Sequence, residues 1–486
     1  MNKRNLYISV LCAAFIFSSC KKELLNPTPQ TSVAAENAFD TEFRIESQAN
    51  SLYGSLKNGQ LYGGRYLVYG NVRGEDFINE TGNLVTASDV WSLNLANSTT
   101  SVKGLWSQGY LTINRCNVFI DGMNAKGTAV VGTEKGAKYI AEARLVRALT
   151  YYSLLQLYAL PYADGAGSKP GLPLRLTGIT GPGFSDQARS TVAEVYASIL
   201  DDLNFAETNL ASTNGSALLN TTRAHKNTAI SLKTRVYLSM GKWAEVITEA
   251  NKIVPAVAPF TASANVPNAL VADVTSIFKA PYTTAESIFS LPMTTSASPL
   301  DYPGTQNSLA SYFYFTNATP GTTEFSLNLS GIVADPDWKA TDARKSLVFT
   351  SAAAKKFVAK FVAPNPYTDY VPVIRWAEVL LNLAEARVRS TNSIDPQALA
   401  LINAVRKRSD ATTTIAPGSV SAFTDALLQE RRIEFLGEGL RGPDLTRLLL
   451  PIPAKGSAPR KTATEAGYIW PISSDELSLN KLMTDN

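Results

Sequence analysis

Apolar residues recur at helical spacing along most of this chain. Phe39, Phe43, Ile45, Ala49 and Tyr53 set the first such pattern, which begins near Ala35. Gly104–Met123 carries Leu105, Tyr110, Ile113, Cys116, Phe119 and Ile120 on one side. Lys138–Tyr158 places Ala141, Ala143, Leu145, Ala148, Tyr152 and Leu155 close together and stops at Leu160-Pro161. Further helices are predicted over Val192–Leu210, Asn227–Met240, Lys242–Ile253, Val373–Arg389, Pro396–Arg408 and Ala422–Leu436. Pro396 follows Asp395, and proline suits the first helical turn because its missing N–H has no partner there in any case.

Several helices pair across short turns. Tyr237 to Trp243, with Gly241 between them, is a tight join, and Trp376–Glu385 is followed by a second helix over Ala398–Val405. The spacing resembles tetratricopeptide units, which stack because one unit cannot bury its own apolar face. Two stretches, 62–102 and 255–370, lack helical period and are rich in Ser, Thr, Asn, Gly, Pro and aromatics. Short β pairs and ordered loops are expected there, and long irregular segments inside a compact chain usually carry function. Tyr312-Phe313-Tyr314 alternates as a strand would, with one face inward. The fold class is mainly α: tetratricopeptide-like helix pairs form an α-α superhelix scaffold with long irregular insertions and short β pairs. Length alone suggests two or three domains, but the pattern reads as one domain over 35–486.

The N-terminus adds a location. Lys3 and Arg4 precede an apolar run, Leu6–Phe17, too short to span a bilayer permanently. Ser18 and Ser19 lead into Cys20, where a lipoprotein cleavage box would put its acylated cysteine. Residues 1–19 are expected to be removed and Cys20 lipidated. Acyl chains bury about 0.8 kcal/mol per methylene, so stable anchoring takes more than one. Residues 20–34, with Pro27 and Pro29, read as a tether.

Composition mostly excludes. Cys12 leaves with the signal and Cys20 carries lipid, so Cys116 is left without a disulfide partner. Net charge is +4 with no dense basic block, which argues against nucleic acid. One histidine, His225, rules out a multi-histidine zinc site, and no carboxylate neighbours it in sequence. An exposed or capping role is expected for it. Gly437-Glu-Gly439-Leu-Arg-Gly442 matches the dinucleotide fingerprint formally, but here the glycines close a helix instead of opening one. Glu430, Arg431, Arg432 and Glu434, with Arg441, Asp444 and Arg447 after them, read as structural ion pairs, as do Glu142, Arg144, Glu378 and Glu385. Asp335, Asp337 and Asp342 read as a solvated turn, and neither metal nor cofactor is expected.

Three blocks carry a resemblance: Ala141–Tyr158 with Leu160-Pro161; Val373–Ala386 with Ile402–Arg406; and Glu430–Arg441 with Asp444-Leu445. With Trp106–Asn117, Trp470-Pro-Ile and Asp475-Glu-Leu, they resemble the SusD/RagB family of Bacteroidetes nutrient-binding outer-membrane lipoproteins over nearly the whole mature chain. The resemblance implies four tetratricopeptide-like helix pairs facing a TonB-dependent, SusC-like barrel transporter, with irregular loops binding a glycan. Sugars present apolar C–H faces ringed by hydroxyls, so an aromatic platform with polar neighbours suits them. The candidate ligand contacts are Trp91 with Arg73, Asp76 and Asn79 in the first insertion, and Tyr302, Tyr312, Tyr314 and Trp338 in the second. Trp106, Trp243 and Trp376 sit on helical faces and read as core. The function expected is a cell-surface, lipid-anchored protein that captures oligosaccharide for the transporter without catalysis. Peptide binding, a two-carboxylate glycoside hydrolase and a pure assembly adaptor are the alternatives.

Overall fold

A computed structural model describes residues 37–181, 183, 185–295, 303–315, 319 and 321–486. The signal segment, Cys20, the tether and Tyr302 lie outside the described residues. The principal helices are α1 (Glu42–Leu56), α2 (Arg65–Val72), α3 (Thr100–Gly122), α4 (Thr133–Tyr158), α5 (Val192–Asn209), α6 (Lys226–Ser239), α7 (Trp243–Ala250), α8 (Trp376–Thr391), α9 (Pro396–Ser409), α10 (Val420–Glu434) and α11 (Arg441–Arg447). From α3 to α9 each helix packs on the next, which is the stacking expected of paired repeats, and α1 lies across α3 and α4. A mainly α, tetratricopeptide-like scaffold is therefore present. Among the described residues no helix is long and apolar enough to cross a membrane.

Local chemistry sets the helix ends. Thr191 caps α5 through a capping box: its hydroxyl accepts from Glu194 N at 3.2 Å, and its own N–H donates to the Glu194 carboxylate at 2.7 Å. Asp395 caps α9 through Ala398 N at 2.9 Å, with Pro396 in the first turn as the sequence predicts. From Tyr139 onward helix α4 is buried on nearly all sides, because α3 and α5 flank it, so it shows no one-sided stripe. After α10 the chain reverses through Gly437 and Gly439, both with φ of 86°. A Cβ on Gly70 of α2 would lie 2.0 Å from the Gly439 carbonyl oxygen, so glycine permits this contact. The glycines thus end a helix, and the dinucleotide reading is excluded.

Several expectations need correction. Helix α1 starts at Glu42, capped by Thr41, and Phe43 is 79% exposed, while Ile45, Ala49, Leu52 and Leu56 form its buried face. The first insertion contains α2, because its glycines permit close packing without preventing a helix. Val371–Arg375 is a strand, β6, that only then turns into α8; its β-branched residues pair with β2 (Ser287–Leu291). Tyr312-Phe313 sits in a helical turn, Leu309–Phe313, started by the Ser308 cap, and not in a strand. Trp243 is only half-buried, with the Arg389 guanidinium 5.4 Å from its ring centroid, whereas Trp106 and Trp376 are core as read.

The two insertions meet in one antiparallel sheet. Strand β1 (Phe77–Asn79) comes from the first, and β3 (Phe325–Leu327), β4 (Val348–Thr350) and β5 (Lys356–Val358) come from the second, in the order β1-β3-β5-β4. Phe77 pairs with Leu327 and Asn79 with Phe325. This register ties segments far apart in sequence into one body against the helices.

Candidate functional site

Three of the aromatic residues expected at a ligand surface, Trp91, Tyr312 and Trp338, are in the interior. Trp91 is 7% exposed; its Nε1 donates to the Phe77 carbonyl at 2.7 Å and its ring lies against Gly456. Tyr312 is fully buried, donates to the Gln306 carbonyl at 2.8 Å and stacks on Phe325. Trp338 is 3% exposed, with the Lys345 ammonium 4.1 Å from its ring centroid. Tyr314 is half-buried against Phe315 and Phe349. Trp91, Tyr312 and Trp338 therefore offer no open face to a sugar. The physical reason is that loops without helices still need apolar anchors, and large rings supply the most buried area per residue.

Their polar companions are framework groups too. Arg73 is buried and donates to the Tyr468 carbonyl, and burial lowers its guanidinium pKa to about 10. Lys455 donates to the Arg73 carbonyl at 2.8 Å, and burial together with the Arg73 charge lowers its ammonium pKa to about 7. Asp76 accepts from Arg432 Nε at 2.7 Å and from Ile332 N at 2.8 Å. Asn79 is half-buried and closes a turn by accepting from Gly82 N at 2.6 Å. The structure brings Arg73 and Asp76 together with Trp91 near β1, but as struts, not as a lining.

The charge-dense segment around Glu430 is structural, as read, and more deeply buried than its pattern suggested. Arg375 bridges Glu286 at 2.6 Å, Glu434 at 2.9 Å and Glu438 at 2.7 Å. Arg344 holds Asp342 at 2.7 Å, Glu430 at 2.6 Å and Glu434 at 2.8 Å. Arg408 adds Glu286 and Glu434, Lys360 adds Glu438, and Arg406 adds Glu430. Burial alone would raise the Glu434 carboxyl, but Arg408, Arg375 and Arg344 outweigh it and hold the group well below the usual carboxylate range. Asp342 belongs to this network and not to the solvated turn, which keeps only Asp335 and Asp337. His225 is a buried N-cap: its N–H donates to Thr228 Oγ1 at 3.2 Å, and burial lowers its imidazole to about 4. It is thus capping, as expected, but not exposed.

An open trough of about 1190 Å³ lies between α1 and α3. One wall carries Gln48, Ser51 and Ser55 of α1, then Asn58 and Gln60 of the following turn. The other carries Ser107, Gln108, Leu111, Asn114 and Arg115, successive turns along one face of α3. Pro303 and Asn307 of the second insertion close one side. The carboxamide oxygens of Gln60 and Asn307 are buried and meet no donor. A Cβ at Gly104 would lie 2.7 Å from Gln60 Oε1, and one at Gly59 2.5 Å from Asn307 Cβ, so glycines leave space for both amides. Enclosed acceptors of this kind behind a cleft wall are groups that bridging waters can satisfy. Amides, serines and short apolar patches from Leu52, Leu111 and Val118 suit a hydroxylated ring compound better than an apolar one.

A second pocket, about 650 Å³, lies between the 335–339 turn, the 413–417 loop and α10. Its charges are mixed: Asp335, Asp337 and Asp425 with Lys339 and Arg406. Among the described residues no group of three or more His, Cys, Asp or Glu is placed to hold a metal ion.

Sequence reasoning missed the trough because its residues look like the outward faces of two amphipathic helices. A signal was nonetheless present: neither Ser47–Gly74 nor Val90–Ile120 contains an Asp or Glu. Ordinary solvated helix faces mix both signs of charge.

Known proteins match this architecture. Residues 313–464 match the family described as the SusD family, and residues 25–238 match the family described as starch-binding, associating with outer membrane. SusD-like protein P25 of Formosa agariphila is 26% identical over 259 residues, a match spanning 51% of this chain and 46%, about half, of that protein's length. The crystal structure of a SusD superfamily protein from Bacteroides fragilis superposes with a TM-score of 0.81 at 33% identity, covering 92% of this chain and 100% of that one. A SusD superfamily protein from Bacteroides thetaiotaomicron shares the fold, with a TM-score of 0.79 at 24% identity over 92% of this chain and 99% of that one. With the helix pairs, the insertions and the full-length match to the Bacteroides fragilis protein, the chain belongs to the SusD/RagB family.

Proposed function

We propose that this protein captures an oligosaccharide at the outer membrane in the trough between α1 and α3 and delivers it to a SusC-like, TonB-dependent transporter, breaking no bond. The observation that carries the reading is the open trough lined by amide and hydroxyl side chains. A preformed trough loses little entropy on binding, and amides bond ring hydroxyls without needing a charged ligand. The family description, starch-binding and associated with the outer membrane, points the same way. Buried carboxylates further support binding without chemistry, since Glu286, Glu385, Glu430 and Glu438 are spent on arginine and lysine partners.

Lipidation at Cys20 would hold the protein at the membrane face, with residues 21–34 as the tether. Cys20→Ala should release it from the membrane fraction and abolish incorporation of labelled palmitate.

The ligand reading is tested by calorimetry of the detergent-solubilised full chain against oligosaccharides and peptides, with chromatography of the mixture. The expected result is heat with an oligosaccharide, loss of that heat in Gln60→Ala/Asn307→Ala, and no shorter products. Binding of peptides alone, or steady release of shorter sugars, would overturn it. Co-purification with a barrel transporter from the native membrane tests delivery.

A further inference from the structure

The distribution of charge along the trough says more about the ligand. We propose that it takes an acidic oligosaccharide, with Arg115 as the subsite for a carboxylate or sulfate on the sugar; this rests on the reading of the trough as the glycan site. Carboxylates are ordinary partners for the hydroxyls of neutral sugars, yet among the described residues none lines either wall, and the charged residues that do are Lys57 and Arg115. The absence runs through both wall-forming segments, Ser47–Gly74 and Val90–Ile120. A site that must admit negative charge excludes like charge in this way, because an unscreened repulsion at close range would cancel several hydrogen bonds.

Arg115 differs from the chain's buried arginines. Arg235 is paired with Glu378, Arg431 with Asp444 and Arg447 with Glu385. Arg115 is exposed on α3, and its Nη1 donates to Ser55 Oγ at 2.6 Å. That bond spends one of five guanidinium N–H donors and fixes the side chain against the opposite wall. The other edge of the planar fork is left for an oxyanion, which it can hold through two parallel hydrogen bonds. Gln108, two turns earlier on the same face, lies close enough to Ser55 for its Nε2 to sit 3.4 Å from the Ser55 carbonyl. An acidic unit at Arg115 would therefore have an amide within reach for a neighbouring hydroxyl. Holding the guanidinium in place before binding reduces the entropy lost on binding.

The test is calorimetry on the full chain in detergent with three probes: tetragalacturonate, a sulfated galactan oligosaccharide and uncharged maltoheptaose. The expected result is that one acidic probe binds more tightly than maltoheptaose and weakens as salt is raised. Arg115→Gln should lower that affinity about tenfold, the usual weight of a charge-assisted hydrogen bond, and Arg115→Lys should restore part of it. Whichever acidic probe responds to Arg115→Gln distinguishes carboxylate from sulfate. If maltoheptaose binds as tightly as either acidic probe, and Gln60→Ala weakens it while Arg115→Gln does not, the acidic-ligand inference falls and the trough reading stands. If sugars bind but neither Gln60→Ala nor Arg115→Gln changes their affinity, the trough is not the site and both fall.

Discussion

Helix α4 and the 255–370 insertion both reach the interior, but they are held there by different interactions. Apart from Glu142 and Arg147, the buried face of α4 is largely Ala, Leu, Val and Tyr, packed against α1, α3 and α5. The insertion is secured by side chains that bond stray backbone groups or bridge to the helices. Val271 N donates to Glu286, Ala363 N to Asp369 and Arg344 N to Asp342, at 3.2, 2.7 and 2.9 Å respectively. The difference follows from backbone accounting. A helix satisfies its own N–H and C=O groups, so an apolar face is enough to bury it. Irregular chain has no ladder, so side-chain acceptors and donors must enter the interior with it. The ten-residue charge network of Arg344, Arg375, Arg406, Arg408 and Lys360 with Glu286, Asp342, Glu430, Glu434 and Glu438 is the consequence.

The largest effect is expected from breaking that network. Arg375→Met leaves Glu286, Glu434 and Glu438 short of their shared cation, and stranding one partner of a buried pair costs about 3–5 kcal/mol. If the comparison holds, limited proteolysis of this variant cuts first within 255–370 while circular dichroism still reports most of the helix. Uniform loss of helix at the same rate would show the two regions to be one cooperative unit. Leu145→Ala in α4 is the counterpart. It removes a fully buried side chain and should cost about 2–5 kcal/mol, lowering the whole thermal transition with no early cleavage in the insertion.

Acid response sharpens the same contrast, because two buried groups act in opposite directions. His225, the cap of α6, has its imidazole lowered to about 4 by burial. Between its unfolded value near 6.5 and about 4, the unfolded chain binds the extra proton, so stability falls as pH falls. Asp369, in the insertion, has its carboxyl raised to about 6, first by burial, against the hydrogen bonds it accepts from Ala363 N and Tyr282. Between about 4 and 6 the folded chain binds the extra proton, so stability falls as pH rises. Each shift is worth about 3 kcal/mol at 1.36 kcal/mol per unit, so the two nearly cancel over pH 4–6. Asp369→Asn should uncover the histidine, giving a denaturant midpoint that falls steadily from pH 6.5 to 4. His225→Gln should show the opposite slope. Parallel profiles for wild type and Asp369→Asn would mean that the carboxyl is not buried as described.

The same division explains what could be read from sequence. The helices of the stack were legible because a period of 3.6 residues repeats over many turns and caps such as Asp395-Pro396 mark the ends. The family resemblance was legible for the same reason, since its three blocks lie on α4, on β6 through α9 and on α10 through α11. The last three residues of the strand Val371–Arg375 read as the start of the neighbouring helix, because five residues are too few for either period to declare itself. In the insertions, residue type was visible but direction was not. Nothing in the order of residues around Trp91 or Tyr312 says whether a ring points inward. That depends on partners such as Phe77 and Phe325, the latter more than ten residues from Tyr312 and the former 14 residues from Trp91. The trough escaped notice because it is formed by two helix faces about fifty residues apart, each unremarkable alone except for its lack of carboxylates.

The smallest effect belongs to Trp338, and it decides whether the insertion's aromatics are anchors. Its indole N–H is buried without an acceptor, an arrangement that costs roughly 1–3 kcal/mol relative to a paired donor. Trp338→Phe removes that donor and also some buried ring area, worth about 25 cal/mol per Å². The two terms oppose, so the net change should stay within about 1 kcal/mol and the thermal midpoint should barely move. Phenylalanine still offers a face to the Lys345 ammonium, 4.1 Å from the ring centroid in the native protein, so that contact weakens without vanishing. Oligosaccharide affinity should be unchanged, because the ring meets no open surface. A ligand platform would behave otherwise: narrowing an indole to a phenyl ring reduces the area stacked on a sugar and should weaken binding severalfold. Unchanged stability with weakened binding would therefore return Trp338 to the ligand surface, and with it the expectation that the insertion, and not the trough between α1 and α3, meets the sugar.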